Sequence, residues 1–401
     1  MNTHQYIELE HRYSAHNYHP LPVVLSRGEG PYVWDVEGKR YLDFLSGYSA
    51  VNQGHCHPRL INTLVEQAGK LTLTSRAFHS DKLGEYAEFI TDYFGYDKVL
   101  PMNTGVEAVE TAIKITRKWG YEVKGIPDGQ AMIVVCEHNF HGRTSTVVSF
   151  STDPTARAHF GPYMPGFITI PYNDVSALEA ALEDPNIAGF LIEPIQGEAG
   201  VVVPDEGYLS KCKSLCEQKR VLFMADEIQT GLGRTGKMLA CDHEGVRPDV
   251  LILGKALSGG LLPISAVLTD SEVMDCIHPG EHGSTFGGNP LACAVAMEAL
   301  KVIREEKLAE NATELGGWFQ EQLRALDHPM ISLVRGKGLL NAIVINDPNP
   351  DAAWDLCLRM KNNGLLAKPT HGDKIRLAPT LVITRSQMED AIGIIKGSLE
   401  S

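Results

Sequence analysis

The chain has 401 residues, 43% of them hydrophobic and 21% charged, a globular mix in which roughly one domain per 150 residues predicts two or three domains. Fifty acids against 36 basic residues give a formal charge of −14, a field that repels nucleic-acid phosphates and anionic lipid and argues against both as partners. Any anionic ligand must be held by a local positive site.

In chain order, the opening MNTHQYIELEHRYSAHNYHP has no apolar h-region and carries Glu8 and Glu10 with only Arg12. It reads as neither a secretory signal nor an Arg-rich transit peptide. The eight cysteines (56, 136, 212, 216, 241, 276, 293 and 357) form no C-x-x-C pair, which predicts reduced thiols and a cytoplasmic location. His55-Cys56-His57-Pro58 could suggest a metal site, but adjacent ligands on a turn rarely converge on one ion. The segment reads instead as a turn into a helix starting near Arg59, and no metal is expected. Asn103-Thr104-Gly105-Val106 precedes a helical pattern over Val106–Trp119, with Glu107 and Glu110 in its first turn. Free amides and the positive end of the helix dipole there favour an anion, although ordinary capping gives the same pattern.

Apolar runs then alternate with helical patterns. Strands are predicted at Ala131–Val135, Phe167–Ile170, GFLIEP from Gly189, Val221–Ala225, VLIL and ISAVL, with helices at Val175–Leu182 and Tyr208–Gln218. Continuous apolar strands between helices predict a mostly parallel sheet covered on both faces. From Val250 to Leu268 the sequence imitates a membrane span, but Gly254, Gly259, Gly260 and Pro263 break it into two buried strands around Lys255. After Asn289-Pro290, helices are predicted at Leu291–Glu306, Leu308–Leu326, Ala352–Asn362 and Ser386–Ser398, with strands near Ile331–Val334 and Asn341–Ile345. The expected fold is α/β. A large domain over 51–290 carries a mostly parallel sheet flanked by helices. A smaller α+β domain is built from the C-terminal part, 291–401, and the N-terminal segment, 1–50, with the boundary between 290 and 325.

GLGRTGK, Gly231 to Lys237, matches both G-x-G-x-x-G and the start of a P-loop. DEIQT separates it from the preceding strand, Met238 replaces the magnesium-binding hydroxyl, and Gly245 and Pro248 come too soon for a covering helix. A flexible surface turn is predicted. Lys255 is more informative. A lysine between apolar strands loses hydration, which lowers its pKa and favours a nucleophilic amine, unless its head snorkels to a rim or pairs with an acid. Asp226 directly follows the strand VLFMA, and in an open α/β sheet ligands bind beyond the carboxyl ends of strands. An imine-forming lysine with a carboxylate on a ring nitrogen is what pyridoxal phosphate requires, while a simple helix N-cap is the structural alternative for Asp226. Phe140-His141 and His282–Gly288 fall where they can join the same sheet edge.

DEIQTGLGRTGK followed by LGKALSGG resembles the class III aminotransferases, fold-type I pyridoxal 5'-phosphate enzymes. YSAHNYHPLPV, LSGYSAVNQGHCHP, LPMNTGVEAVETA, EPIQGEAGVVVPD, PGEHGSTFGGNPLA and NGLLAKPTHGDKIRLAP are similar to the ornithine-specific branch of that family. The resemblance runs from about residue 13 to near the end. It implies that Lys255 is the imine lysine and proton carrier, with Asp226 on the pyridinium nitrogen. Gln229 would contact the ring oxygen, Phe140 and His141 would flank the ring, and Glu193 would be a supporting acid. Gly105 and Val106 would give phosphate amides, joined by Ser284 and Thr285 from the other subunit of a homodimer.

The resemblance further implies ping-pong transfer of the δ-amino group of L-ornithine to 2-oxoglutarate, giving glutamate 5-semialdehyde and glutamate. Tyr18 and Arg143 would hold the amino-acid end of ornithine, Tyr48 would shape that side, and Arg376 would grip the α-carboxylate of 2-oxoglutarate. Glu198 would pair with Arg376 while ornithine is bound and swing away for the keto acid. His141 departs from the tryptophan of animal members, and Thr380 from the usual second proline of the segment. An N-acetylornithine or 4-aminobutyrate aminotransferase would share Lys255, Asp226 and Arg376, so Tyr18 and Tyr48 carry the distinction.

Overall fold

The structure, a computed structural model, describes residues 1–400. In chain order its strands are β1 (Leu25–Glu29), β2 (Tyr32–Asp35), β3 (Arg40–Asp43), β4 (Lys98–Met102), β5 (Met132–Cys136), β6 (Phe167–Ile170), β7 (Ile187–Ile192), β8 (Leu222–Asp226), β9 (Val250–Leu253), β10 (Ser265–Thr269), β11 (Ile331–Lys337), β12 (Leu340–Ile345), β13 (Leu365–Leu366), β14 (Lys368–Thr370) and β15 (Lys374–Leu377). Seven form the central sheet in the order β4-β10-β9-β8-β7-β5-β6. β10 alone runs against the others, pairing antiparallel with both β4 and β9. The remaining pairs are parallel. Every residue of β7, β8 and β9 is buried, as a sheet covered on both faces requires.

The carboxyl ends of β4, β5, β7, β8 and β9 therefore all open on one sheet edge. Helix Gly105–Trp119 starts at that edge and buries Ala108, Val109, Ala112 and Ile113. Its first turn is held by Glu107, whose carboxylate accepts the N–H groups of Asn103 and Thr104 at 3.0 and 2.7 Å. The helices expected downstream are Val175–Ala181, Tyr208–Gln218, Pro290–Glu305, Leu308–Ala325, Ala352–Asn362 and Arg385–Leu399.

Two smaller four-stranded sheets flank this frame, β1-β2-β3-β13 and β11-β12-β15-β14. β3 pairs in parallel with β13, which ties the N-terminal segment to the C-terminal part. Helix Thr3–Tyr13 buries none of its residues; Thr3 donates its N–H and hydroxyl to Glu37. The sequence reading placed no element there, nor did it find helix Asp81–Phe94 or β4.

One expectation is overturned. GLGRTGK is not a surface turn: Leu232, Arg234 and Thr235 are at most 1% exposed. Arg234 donates to the carbonyls of Leu339 (3.0 Å) and Pro379 (2.5 Å) and to Asn52 Oδ1 (2.5 Å). Asn52 in turn donates to the carbonyl of Leu232. One guanidinium thus satisfies carbonyls from two C-terminal loops and locks them to the loop after β8. Burial pulls its pKa down to about 9. Polar composition suggested solvent exposure, but the fork geometry of arginine turns the loop into a clamp. Arg234→Ala is expected to lower unfolding stability by about 3 kcal/mol, because three buried acceptors lose their donor. Denaturant unfolding checks this, and a change within about 0.5 kcal/mol would contradict it.

Candidate active site

Asp226 is the last residue of β8, and Lys255 lies two residues beyond β9, its parallel neighbour. Lys255 opens a short 3-10 turn in the left-handed region, φ +43°, a conformation that costs a lysine roughly 1–3 kcal/mol and clusters at functional sites. Its side chain lines a cavity of about 1190 Å³, large for a small-molecule site, and no carboxylate lies within ion-pair distance of Nζ among the described residues. Burial, partly offset by the Glu198 charge, pulls the amine down to about 8. The ion-paired alternative for Lys255 is therefore not what the structure contains.

Asp226 is 5% exposed and accepts from His141 Nδ1 at 2.7 Å through Oδ2 and from the Ile228 N–H at 3.1 Å through Oδ1. His141 is likewise buried. Burial opposes its charge, but the hydrogen bond and charge of Asp226 outweigh that and hold its pKa above the ordinary value. Its Nε2 has no partner. Glu193, one residue past β7, accepts the Phe140 N–H at 2.8 Å and so orients the loop after β5. Burial pushes the Glu193 carboxyl up to about 7, with His141 opposing and Asp226 reinforcing.

The loops meet closely at the edge. Gly105 packs on Ile228, where an added Cβ would lie 3.0 Å from its side chain. Gly142, at φ +124°, would place a Cβ 2.3 Å from Val106. Among the described residues the N–H groups of Gly105 and Val106 donate to no protein acceptor, as the first turn of a helix leaves them. Ser284 accepts from Asn103 Nδ2 of the same chain at 2.8 Å, whereas Thr285 is exposed. Free amides at a helix start, a buried carboxylate at a neighbouring strand end and an amine of lowered pKa fit pyridoxal 5'-phosphate chemically.

The opposite cavity wall comes from the C-terminal part. Arg376 on β15 is 3% exposed and donates to Glu198 Oε1 at 2.8 Å. Its guanidinium lies 4.8 Å from the Tyr48 ring centroid. Burial pushes the Glu198 carboxyl up, but the charges of Arg376 and Lys255 and hydrogen bonds from Arg376 and Gln229 hold it below its usual value. Gln229 donates to Glu198 at 3.1 Å and accepts from Arg376 at 3.3 Å, so its amide is engaged by this pair. Tyr18, Tyr48, Phe140, His141, Arg143, Glu198, Lys255 and Arg376 line the cavity; Asp226, Gln229, Glu193, Gly105, Val106, Ser284 and Thr285 are not part of that lining. Arg143 is exposed, 5.4 Å over the Phe140 ring, and Tyr18 is 74% exposed.

Sequence reasoning missed Ile228, which backs both Gly105 and Gly254, and Lys368, which lines the cavity beside Tyr18. Only three-dimensional packing reveals either. His55 of the candidate metal turn pairs with Asp43 at 2.7 Å, and no cluster of three or more His, Cys, Asp or Glu converges among the described residues. Thr380 is fully buried with its hydroxyl unpartnered, a difference for which the surrounding contacts offer no reason. Labelling of Lys255 by a carbonyl reagent, read by peptide mass spectrometry across pH, is expected to rise through a midpoint near 8; a midpoint near the ordinary 10.5 would contradict the burial argument.

Comparison with known proteins agrees with this geometry. Residues 13–399 match the family model described as aminotransferase class-III. The mitochondrial ornithine aminotransferase of Drosophila melanogaster is 62% identical over 98% of this chain and 90% of its own length. The ornithine aminotransferase structure from Toxoplasma gondii superposes with a TM-score of 0.98 at 51% identity, covering 100% of this chain and 94% of that one. A structure described as acetylornithine aminotransferase, from Elizabethkingia anophelis, has a TM-score of 0.92 at 59% identity over 100% and 99%. With the strand-end lysine and aspartate in place and the match spanning nearly the whole chain, the protein belongs to the class III aminotransferase family.

Proposed function

We propose that the protein is an ornithine aminotransferase that moves the δ-amino group of L-ornithine to 2-oxoglutarate with pyridoxal 5'-phosphate, giving glutamate 5-semialdehyde and glutamate. The observation that carries the terminal-amine part of this reading is the Glu198–Arg376 pair in the cavity that Lys255 enters, and Tyr18 and Tyr48 in the same lining carry the choice of free ornithine. When a terminal amine reacts, the reacting carbon bears no carboxylate, and a bare buried arginine beside it would be costly. When a 2-oxo acid reacts, its α-carboxylate needs that same arginine. A carboxylate that covers Arg376 and can be displaced resolves the conflict, and only a donor whose reacting amine has no neighbouring carboxylate needs one.

The bound cofactor supplies the electron sink and carries the amino group between the half-reactions. Asp226, hydrogen-bonded to His141, would hold the ring nitrogen. Lys255, uncharged for part of the time at neutral pH, takes and returns the proton at the substrate carbon. The Gly105 and Val106 amides would receive the phosphate, with Ser284 and Thr285 serving the partner's site in a homodimer. The exposed rings of Phe78 and Phe286, 76% and 56% accessible in the single chain, support such an interface. Phe140 and His141 would flank the ring, Glu193 supports their loop through the Phe140 N–H, and Gln229 would contact the ring oxygen. Tyr18, Tyr48 and Arg143 receive the amino-acid end of ornithine.

The division into 1–50, 51–290 and 291–401 is supported by the β3–β13 pairing and by the change from parallel to antiparallel sheets. A reducing setting is supported by eight free thiols, seven of them buried, and the cytoplasm is the compartment proposed. Among the described residues no helix is long and apolar enough to cross a membrane. Turnover of ornithine labelled with ¹⁵N at the δ position is expected to place the label in glutamate; label transfer from the α position instead would overturn the assignment.

A further inference from the structure

Beyond the Glu198–Arg376 pair, a second cation shares that wall. Lys368 on β14 and Arg376 on β15 are direct partners in the antiparallel register, so both side chains leave the same face of the sheet. Both line the cavity. The Lys368 ammonium lies 6.0 Å from the Tyr18 ring centroid. No acid lies within ion-pair distance of it among the described residues, whereas the nearby Lys374 is engaged by Asp373. Burial lowers the Lys368 pKa, with the Arg376 charge adding to the effect and Glu198 opposing it. Lys368 therefore sits in the field of the Arg376–Glu198 pair without a carboxylate of its own.

We propose that Lys368 is a specificity-determining residue for the amino acceptor, a second cation that favours a dicarboxylic 2-oxo acid over a monocarboxylic one. The inference rests on the reading of Arg376 as the holder of the α-carboxylate. With Glu198 in place, two cations face one carboxylate. Once Glu198 moves aside, Lys368 and Arg376 present two positive charges on one face, complementary to an acceptor that brings two carboxylates. A monocarboxylic acceptor uses Arg376 alone and leaves Lys368 unanswered in a partly desolvated cavity.

The test uses the holoenzyme and Lys368→Met, with Lys368→Arg as the charge-conserving control and Arg376→Gln as the control on the underlying reading. For Lys368→Met the KM for 2-oxoglutarate is expected to rise about tenfold, with kcat and the KM for pyruvate changing less than about twofold. Lys368→Arg is expected to restore most of the loss. Calorimetric binding of glutarate, an unreactive dicarboxylate, should weaken in parallel, whereas a folding defect would move every substrate alike. Equal losses for 2-oxoglutarate and pyruvate, or an unchanged 2-oxoglutarate KM, would overturn the proposal while Arg376→Gln still raises KM for both acceptors. If Arg376→Gln spares both acceptors, the reading of Arg376 fails and the proposal falls with it.

Discussion

The site depends on keeping a lysine amine in a place where its charge is poorly solvated. Lys255 leaves the end of β9 in a left-handed conformation, beside the fully buried strand β8 that ends in Asp226. Parallel pairing of the two strands fixes both side chains at one sheet edge, and packing around them withholds solvent. Desolvation acts in opposite senses on the two kinds of group: it weakens the proton affinity of the amine and strengthens that of nearby acids. Lys255 falls to about 8 while Glu193 rises to about 7 in the same surroundings. Asp226 accepts a hydrogen bond from His141, while burial pushes its neighbour Glu193 towards the neutral form.

The second requirement is coupling between the central sheet and the C-terminal part. Arg376 reaches the cavity from β15, yet Glu198 and Gln229, its partners, come from the loops after β7 and β8. Arg234 reinforces the connection by binding the carbonyl of Pro379, three residues beyond Arg376. A buried arginine with only neutral acceptors is an expensive way to join loops, and its fork of donors reaches carbonyls that an apolar residue would leave unsatisfied. The clamp and the substrate wall thus share one stretch of chain, residues 376–379.

Much of this was legible in the sequence where burial is uniform. β9 was found with its observed bounds because a fully apolar run between turn signals has few other readings, and β6, with its exposed Thr169, and helix Tyr208–Gln218 were found with theirs as well. β4 escaped because KVLPM carries a lysine and a proline at the edge of the sheet, and β1 because four of its five residues are exposed. Lys255 and Asp226 stood out because a charge amid apolar strands needs a reason. GLGRTGK was misjudged because Arg234 is satisfied by carbonyls more than a hundred positions away. The Lys368–Arg376 juxtaposition depends on strand register, which local composition does not encode.

The central claim is that Lys255 and Asp226 serve a cofactor that accepts an amine from free ornithine. The most direct measurement is the visible spectrum of the purified holoprotein as L-ornithine, and in a parallel sample N-acetylornithine, is added without any acceptor. The account predicts a visible band from the lysine-bound cofactor that bleaches with ornithine and persists with the acetylated compound. A band that resists ornithine, or one that only N-acetylornithine bleaches, would contradict it.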